Sequence, residues 1–145
     1  MATILLLSGP NLNLLGDREP EIYGTTTLDD LVDVARTTAA KHGHDVEHTQ
    51  SNSEAGLIDA IHGARRRCAA IVINPGAFTH YAYAIADALA AFDGIKIELH
   101  LSNTHTRESW RHRSVVSPYV NGIVAGLGAT GYRVAIDAVC EQLGS

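Results

Sequence analysis

The stretch CAAIVINPGAFTHYAYAIADALAAF, residues 68–92, decides the fold class because it contains a strand, a turn and a helix in succession. Its opening residues, 68–74, form a continuous apolar run of the kind found in a strand buried on both faces. Asn74-Pro75-Gly76 is a turn signal. The alanine-rich residues 79–92 predict a helix that Thr79 can cap and whose first turn contains His80. A buried strand followed by a helix is the repeating unit of a parallel sheet.

The same alternation of strand and helix runs along the whole chain. Strands are predicted at 2–8, 45–51, 68–74, 94–101 and 121–127, and helices at 27–42, 53–66, 79–92 and 128–143. Thr27 with Asp30 gives the first helix a cap, and Gly43 gives it a stop. In a chain of 145 residues, this pattern predicts a single α/β domain over 1–145. We expect a flavodoxin-like, doubly wound, five-stranded parallel sheet of order 2-1-3-4-5 with helices on both faces.

The composition indicates a globular protein and argues against several classes of function. Hydrophobic residues make up 46% of the chain and charged residues 19%, which is a globular and not a disordered balance. The formal net charge of −5 argues against a nucleic-acid binder, which needs a basic stripe. We interpret the run 65–67, three arginines, as a solvated helix end and not as a binding patch.

Cys68 and Cys140 lie far apart among apolar neighbours, so we expect free core thiols and neither a disulfide nor a metal pair. The N-terminal apolar run is too short for a signal peptide or a membrane span. We therefore expect a cytoplasmic protein with no membrane partner.

Polar loops follow the central strands, where a doubly wound sheet binds its ligands. After the first strand, GPNLNLLGDREPEIYG (9–24) is a long connection of the kind that forms lids or binding loops. It has neither the dinucleotide-binding motif nor the P-loop motif. NPGAFTHY (74–81) follows the third strand and HLSNTHTRESWRHR (100–113) the fourth. We expect their asparagine, histidine, serine and arginine side chains at one edge of the sheet, with QSN (50–52) in a less central place.

These residue types favour acid–base chemistry on a small hydroxylated anion over metal binding, because no HExxH spacing is present and no cysteine accompanies the histidines. Arginine and serine can hold a carboxylate, and a histidine can give a proton to a leaving oxygen. A tyrosine can act as a base if a neighbouring arginine lowers its pKa from ~10 to ~7–8, which takes about 3–4 kcal/mol. Arg18 and Tyr23 of the long loop could form such a pair. A binding module without catalysis and a flavin or nucleotide carrier are alternatives on the same fold.

Four motifs in chain order closely resemble the type II 3-dehydroquinate dehydratases, or dehydroquinases: GPNLNLLGDREPEIYG, QSN, INPGAFTH and ELHLSNTHTRESWRHRSVVSP. The resemblance covers nearly the whole chain. It implies subunits that form trimers and a dodecamer of four trimers. It also implies a step of the shikimate pathway, the anti elimination of water from 3-dehydroquinate through an enolate to 3-dehydroshikimate, without a metal or cofactor. The lysine Schiff base of the type I dehydroquinases does not fit, because Lys41 and Lys96 lie away from the predicted site.

The resemblance also implies a role for each matching residue. By this resemblance, Tyr23 is the base, and Arg18 lowers the pKa of Tyr23. His100 is the acid, and Glu98 orients it. Asn11 helps to stabilise the enolate through a water. The substrate-binding residues are Asn74, Gly76, His80, Asp87, Leu101, Ser102, Arg107 and Arg111. Among these, Asp87 is expected to reach a neighbouring subunit's site and Arg107 to help close a lid. Loop structure or an interface is the expected role of His105, His112 and Arg113. Ala86 stands where the family often has an arginine, at a supporting or interface position.

Overall fold

Five parallel strands form one sheet in the computed structural model, which describes residues 1–17, 19–23 and 25–144, with the side chains of 22 and 23 excepted. The strands are β1 Thr3–Ser8, β2 Asp45–Gln50, β3 Ala70–Asn74, β4 Ile95–His100 and β5 Gly122–Ala125. Their order is β2-β1-β3-β4-β5, and every neighbouring pair is parallel. The predicted flavodoxin-like order is therefore confirmed.

The helices alternate with these strands. They are α1 Pro20–Tyr23, α2 Leu28–Lys41, α3 Glu54–Ala64, α4 Tyr83–Ala90 and α5 Ala129–Leu143, with short 3-10 helices at Leu12–Leu14, Gly76–His80, Thr104–Thr106, Ser109–Arg111 and Ser117–Tyr119. The predicted start of α2 is confirmed. The Thr27 hydroxyl accepts the Asp30 N–H at 3.2 Å, and the Asp30 carboxylate accepts the Thr27 N–H at 3.0 Å. Two backbone donors at the helix start are thus satisfied reciprocally.

The predicted helix over 79–92 was wrong at its start. Residues Gly76–His80 form a 3-10 helix, α4 begins only at Tyr83 and its N-cap is Ala82. Thr79 caps nothing, because its hydroxyl donates to the Glu98 carboxylate at 2.7 Å in the protein interior. A hydrogen bond to a buried charge is worth more than one to an exposed helix N–H. His80 accordingly ends the 3-10 helix and lies outside the first turn of α4.

Two apolar layers cover the two faces of the sheet. Ile4 and Leu6 of β1 pack with the layer of α2 and α5, whereas Leu5 and Leu7 pack with that of α3 and α4. This division follows from the two-residue period of a strand, which sends successive side chains to opposite faces. The prediction of helices on both faces is confirmed.

The cysteines and the arginine run behave as predicted. Cys68 and Cys140 are free and buried, and they lie in different apolar layers. Residues 65–67 follow the end of α3 and are exposed, with Arg67 paired to Glu47 at the surface. Within the described residues, no helix is long and apolar enough to cross a membrane.

Candidate active site

A pocket opens at the carboxyl edge of β1, β3 and β4, where the fold predicts a ligand site. It contains about 540 Å³ of empty volume, part of it open to solvent. Its lining includes nine predicted site residues: Asn11, Asn74, Gly76, His80, His100, Leu101, Ser102, Arg107 and Arg111. The structure therefore brings together side chains that are up to a hundred residues apart in the sequence.

The other predicted site residues lie elsewhere or outside the description. Glu98 lies behind His100 and lines an adjoining cavity. Asp87 is exposed on α4 and is not among the pocket-lining residues that the structure describes. Arg18 and the side chain of Tyr23 lie outside the described residues. Their roles stay predictions.

β4 places a hydrogen-bonded carboxylate and imidazole beneath the pocket. Glu98 and His100 are two residues apart on one strand, so both project from the same face of the sheet. His100 Nε2 lies 2.6 Å from Glu98 Oε2, and the two residues are only 8% and 1% exposed. Because the carboxylate takes Nε2, Nδ1 is the ring nitrogen left for a ligand.

Glu98 is held as a carboxylate despite its burial. Burial raises its pKa, but hydrogen bonds from His100, Ser117 and Thr79, with the charge of His100, outweigh that effect and lower the pKa to about 2. The Ser117 hydroxyl donates to Oε1 at 2.5 Å and the Thr79 hydroxyl to Oε2 at 2.7 Å. A carboxylate surrounded by donors is stabilised in its charged form, so Glu98 is an anion at neutral pH.

The loops after β1 and β3 meet very closely at the pocket floor. The Gly9 N–H donates to the Asn74 carbonyl at 2.8 Å. A Cβ on Gly9 would lie 2.4 Å from the Pro75 carbonyl oxygen, so only glycine allows this approach. The contact brings Asn11, which lines the pocket, next to the loop that carries Asn74.

Asn52 supports Asn11, although the sequence predicts a less central place for the motif QSN, which contains Asn52. Asn11 has a left-handed backbone, with φ of 67°, and its N–H donates to Asn52 Oδ1 at 3.0 Å. The Gln50 amide donates to the same oxygen at 3.2 Å and to the Gly9 carbonyl at 3.1 Å. The motif QSN thus braces the loop after β1. The strand order 2-1-3, which places β2 beside β1, was the signal for this contact.

Tyr132 of α5 is a second supporting residue that sequence reasoning missed. The Asn74 amide donates to the Tyr132 hydroxyl at 3.2 Å, and Asn74 Oδ1 accepts the Gly76 N–H at 3.2 Å. Burial raises the pKa of Tyr132 to about 12, although the hydrogen bond from Asn74 opposes the rise. The phenol therefore stays neutral and fixes the orientation of the Asn74 amide. No local pattern links residues 74 and 132, which lie on different elements.

Two arginines give one wall of the pocket a positive charge. Arg107 donates to the Ser102 hydroxyl at 3.3 Å, and its guanidinium lies 3.9 Å from the Glu19 carboxylate. Arg111 donates to Glu108 at 3.0 Å. The two arginine side chains are only 11% and 13% exposed. Guanidinium groups in a partly desolvated wall suit a carboxylate ligand.

His80 contributes a neutral imidazole to the same pocket. Its Nδ1 donates to the Arg113 carbonyl at 2.6 Å. Burial lowers its pKa most, the charges of His100 and Arg111 lower it further, and the hydrogen bond to Arg113 opposes them. At neutral pH, Nε2 is therefore available to accept a hydrogen bond from a hydroxyl.

The remaining basic residues of the loop after β4 contact the loop itself or, in the case of Arg113, helix α4. The rings of His105 and His112 lie 5.6 Å apart, and His112 Nε2 lies 3.2 Å from the Arg107 carbonyl oxygen. Arg113 donates to the Tyr83 hydroxyl at 3.0 Å. Across the part of the chain that the structure describes, no three His, Cys, Asp or Glu side chains are grouped to hold a metal ion.

Comparison with known proteins agrees with this geometry. The family model for class II dehydroquinases matches residues 2–140. "Catabolic 3-dehydroquinase 2" of Aspergillus flavus is 53% identical over 143 residues, covering 99% of this chain and 95% of that protein. "3-Dehydroquinate dehydratase 2" of Pseudomonas putida is 54% identical over 140 residues, covering 97% of this chain and 94% of that protein.

Solved structures give the same result for the fold. The crystal structure of type II dehydroquinase from Propionibacterium acnes matches with a TM-score of 0.93 at 47% identity, and the match covers 97% of each chain. A 3-dehydroquinate dehydratase-like protein from Bifidobacterium longum matches with a TM-score of 0.76 at 32% identity over 100% of both chains. With the family match over nearly its whole length, the chain belongs to the class II dehydroquinase family.

Proposed function

We propose that this chain is a 3-dehydroquinate dehydratase, a hydro-lyase that removes water from 3-dehydroquinate to give 3-dehydroshikimate. The observation that carries the proposal is the buried Glu98–His100 pair at a pocket with an arginine-rich wall. Family membership supplies the substrate, because the relatives from Aspergillus flavus and Pseudomonas putida are named for this reaction. We assign the reaction to the shikimate pathway on the sequence resemblance.

The proposed reaction is an anti elimination through an enolate. The substrate carries a ketone, a neighbouring CH₂ and, beyond it, a carbon that bears both the leaving hydroxyl and the carboxylate. A base removes one proton from the CH₂, and the electron pair passes into the ketone as an enolate. The enolate then re-forms the ketone and makes the new C=C bond, while the C–O bond breaks and the hydroxyl departs as water with one proton from an acid.

His100 is the proposed acid. Glu98 takes Nε2, so Nδ1 is the nitrogen left to give a proton to the substrate. The carboxylate orients the ring and stabilises the imidazolium as a charge-assisted hydrogen-bond partner. Tyr23 is the proposed base and Arg18 the residue that lowers its pKa. Support for these two roles comes from the REPEIYG motif alone.

The pocket lining supports the binding roles proposed for the remaining residues. Ser102 and Leu101 would hold the carboxylate, and Arg107 would help close a lid. The side chains of Asn74, His80 and Arg111 would hold hydroxyls. Gly76 allows the turn in which its N–H donates to Asn74. Asn11, with its braced backbone, would stabilise the enolate through a water.

The assembly is part of the proposal. We propose one domain over residues 1–145, trimers of it and a dodecamer of four trimers, with Asp87 entering a neighbouring site. Asp87 is exposed on α4, as that role requires. Light scattering coupled to size exclusion would give a mass of twelve chains, and a monomer mass would contradict the assembly. A cytoplasmic location stays a prediction from the sequence.

The test of the function follows the ultraviolet absorbance of the conjugated enone when 3-dehydroquinate is added to the purified, EDTA-treated protein. We expect the absorbance to rise with the wild type. With Tyr23→Phe we expect no rise, although calorimetry should still detect substrate binding. Binding without any rise in the wild type would favour a non-catalytic binding module. A full rate with Tyr23→Phe would keep the reaction and reject the assigned base.

A further inference from the structure

Glu98 is surrounded by hydroxyl groups that have no part in the proposed chemistry. Thr79 donates to Oε2 at 2.7 Å, Ser117 to Oε1 at 2.5 Å, and Ser114 lies 3.1 and 3.2 Å from the two oxygens. With His100 Nε2 at 2.6 Å, the carboxylate has four neighbours that can donate to it. Thr79, Ser114 and Ser117 form a hydroxyl cage around the Glu98 carboxylate.

The cage is separate from the substrate pocket. Thr79 comes from the 3-10 helix after β3, and Ser114 and Ser117 come from the segment between the loop after β4 and β5. None of the three is among the described residues that line the pocket. They line an adjoining cavity, which also contains Glu98 and shares His100 with the substrate pocket. The cage residues therefore act on a ligand only through the Glu98–His100 pair.

The proton directions in the cage are fixed by its own contacts. The Ser114 oxygen accepts the N–H groups of Val116 at 3.2 Å and Ser117 at 3.0 Å. With its lone pairs used in this way, its proton must point to Glu98 or to the Thr79 oxygen, which lies at 2.9 Å. The Glu98 carboxylate can accept from all four neighbours at once, whereas a protonated Glu98 would turn one of these donors into an acceptor, so the cage favours the carboxylate over the acid.

We propose that Thr79, Ser114 and Ser117 are positioning residues that keep Glu98 ionised and oriented, and so hold His100 with Nδ1 directed to the substrate. The inference rests on the proposed function, in which His100 donates the proton. It assigns a role to the hydroxyls of the motifs INPGAFTH and SVVSP, which bind no substrate in that function. Loss of a cage hydroxyl should lower kcat and leave KM unchanged.

The cavity beside Glu98 contains other charged and titratable groups, and these stay unchanged in the test. They are His80, His100, His105, Arg111, His112 and Arg113. None of these side chains carries a negative charge, so none of them opposes the Glu98 anion. Deleting one hydroxyl therefore isolates the contribution of the cage from that of the surrounding charge.

The decisive variant is Thr79→Val, which removes the hydroxyl, keeps the side-chain shape and leaves no space for a replacing water. Thr79→Ser restores the hydroxyl, and Ser117→Ala is a second deletion. Ser109→Ala is the matched control, because Ser109 is an exposed serine of the loop after β4. We expect kcat to fall roughly tenfold in Thr79→Val, the size of one hydrogen bond to a charged group. Thr79→Ser and Ser109→Ala should behave as the wild type.

A second readout does not depend on turnover. Carbon-13 NMR of the Glu98 carboxyl in the folded protein gives its titration directly, and the midpoint should rise in Thr79→Val and Ser117→Ala. An unchanged midpoint together with an unchanged kcat would overturn the inference. Absence of dehydratase activity in the wild type would instead overturn the proposed function, so the two failures are distinguishable.

Discussion

Replacing Glu98 by glutamine removes a buried charge and keeps the size of the side chain. The pKa of Glu98 is about 2 in the folded protein against an ordinary 4.5. A tenfold change in an ionisation constant corresponds to about 1.4 kcal/mol. Ionised Glu98 therefore stabilises the folded state by about 3 kcal/mol at neutral pH. Glu98→Gln should lower the free energy of unfolding by about this amount at pH 7 and should also lower kcat, since His100 loses its anionic partner.

The pH dependence identifies the cause of this loss. The folded-state pKa of Glu98 lies below the unfolded-state value, so the stabilisation is complete above about pH 4.5 and disappears as the pH falls towards 2. Roughly half of it remains at pH 3. The gap in unfolding free energy between wild type and Glu98→Gln should therefore narrow by about half between pH 7 and pH 3.

The assay is urea unfolding followed by circular dichroism at both pH values, at one fixed protein concentration. The control is Glu141→Gln, because Glu141 is an exposed residue of α5. Its unfolding free energy should stay within about 0.5 kcal/mol of the wild type at both pH values. A gap for Glu98→Gln that is absent at pH 7, or that has the same size at both pH values, would refute the reasoning.

Three further substitutions test the supports of the pocket. Gly9→Ala places a methyl group against the Pro75 carbonyl, because a Cβ there would lie 2.4 Å from the carbonyl oxygen. The free energy of unfolding should fall by about 1–3 kcal/mol, and steady-state kinetics should show a raised KM. Tyr132→Phe leaves the Asn74 amide without its partner at 3.2 Å. We expect the free energy of unfolding in urea to fall by about 1–3 kcal/mol and the KM to rise. An unchanged KM would contradict the role of this contact. Thr27→Ala removes the capping box of α2 and should lower the free energy of unfolding by about 1 kcal/mol. The kcat and KM should stay unchanged, because the cap lies outside the site, and altered kinetics would contradict that placement.

Much of the fold could be predicted because its signals are local. Apolar runs such as 2–8 and 68–74 are buried strands, and alternation with helices restricts the sheet to a parallel, doubly wound order. The start of α4 could not be predicted in this way. Thr79 has the side chain of a helix cap, but its hydroxyl lies beside the carboxylate of Glu98 in another strand. A tertiary contact of this kind overrides a local preference.

The candidate site divides along the same line. Residues that directly follow β1, β3 and β4, such as Asn11, Asn74 and His100, could be placed at one edge from the order of the sheet alone. A supporting residue such as Tyr132 could not be predicted, because the contact between Asn74 and Tyr132 depends on how α5 packs. Asn52 was predictable in principle, since it follows β2 and β2 neighbours β1.

In the proposed mechanism, His100, held by Glu98, protonates the departing hydroxyl after a separate base has formed the enolate. The most direct measurement uses His100→Asn, whose amide can still donate to Glu98, with 3-dehydroquinate in D₂O. Proton NMR would follow loss of the hydrogen next to the ketone in unreacted substrate, and absorbance would follow the enone. We predict that enone formation falls by at least about a hundredfold while deuterium exchange continues. Enone formation at the wild-type rate, or loss of exchange together with elimination, would contradict the account.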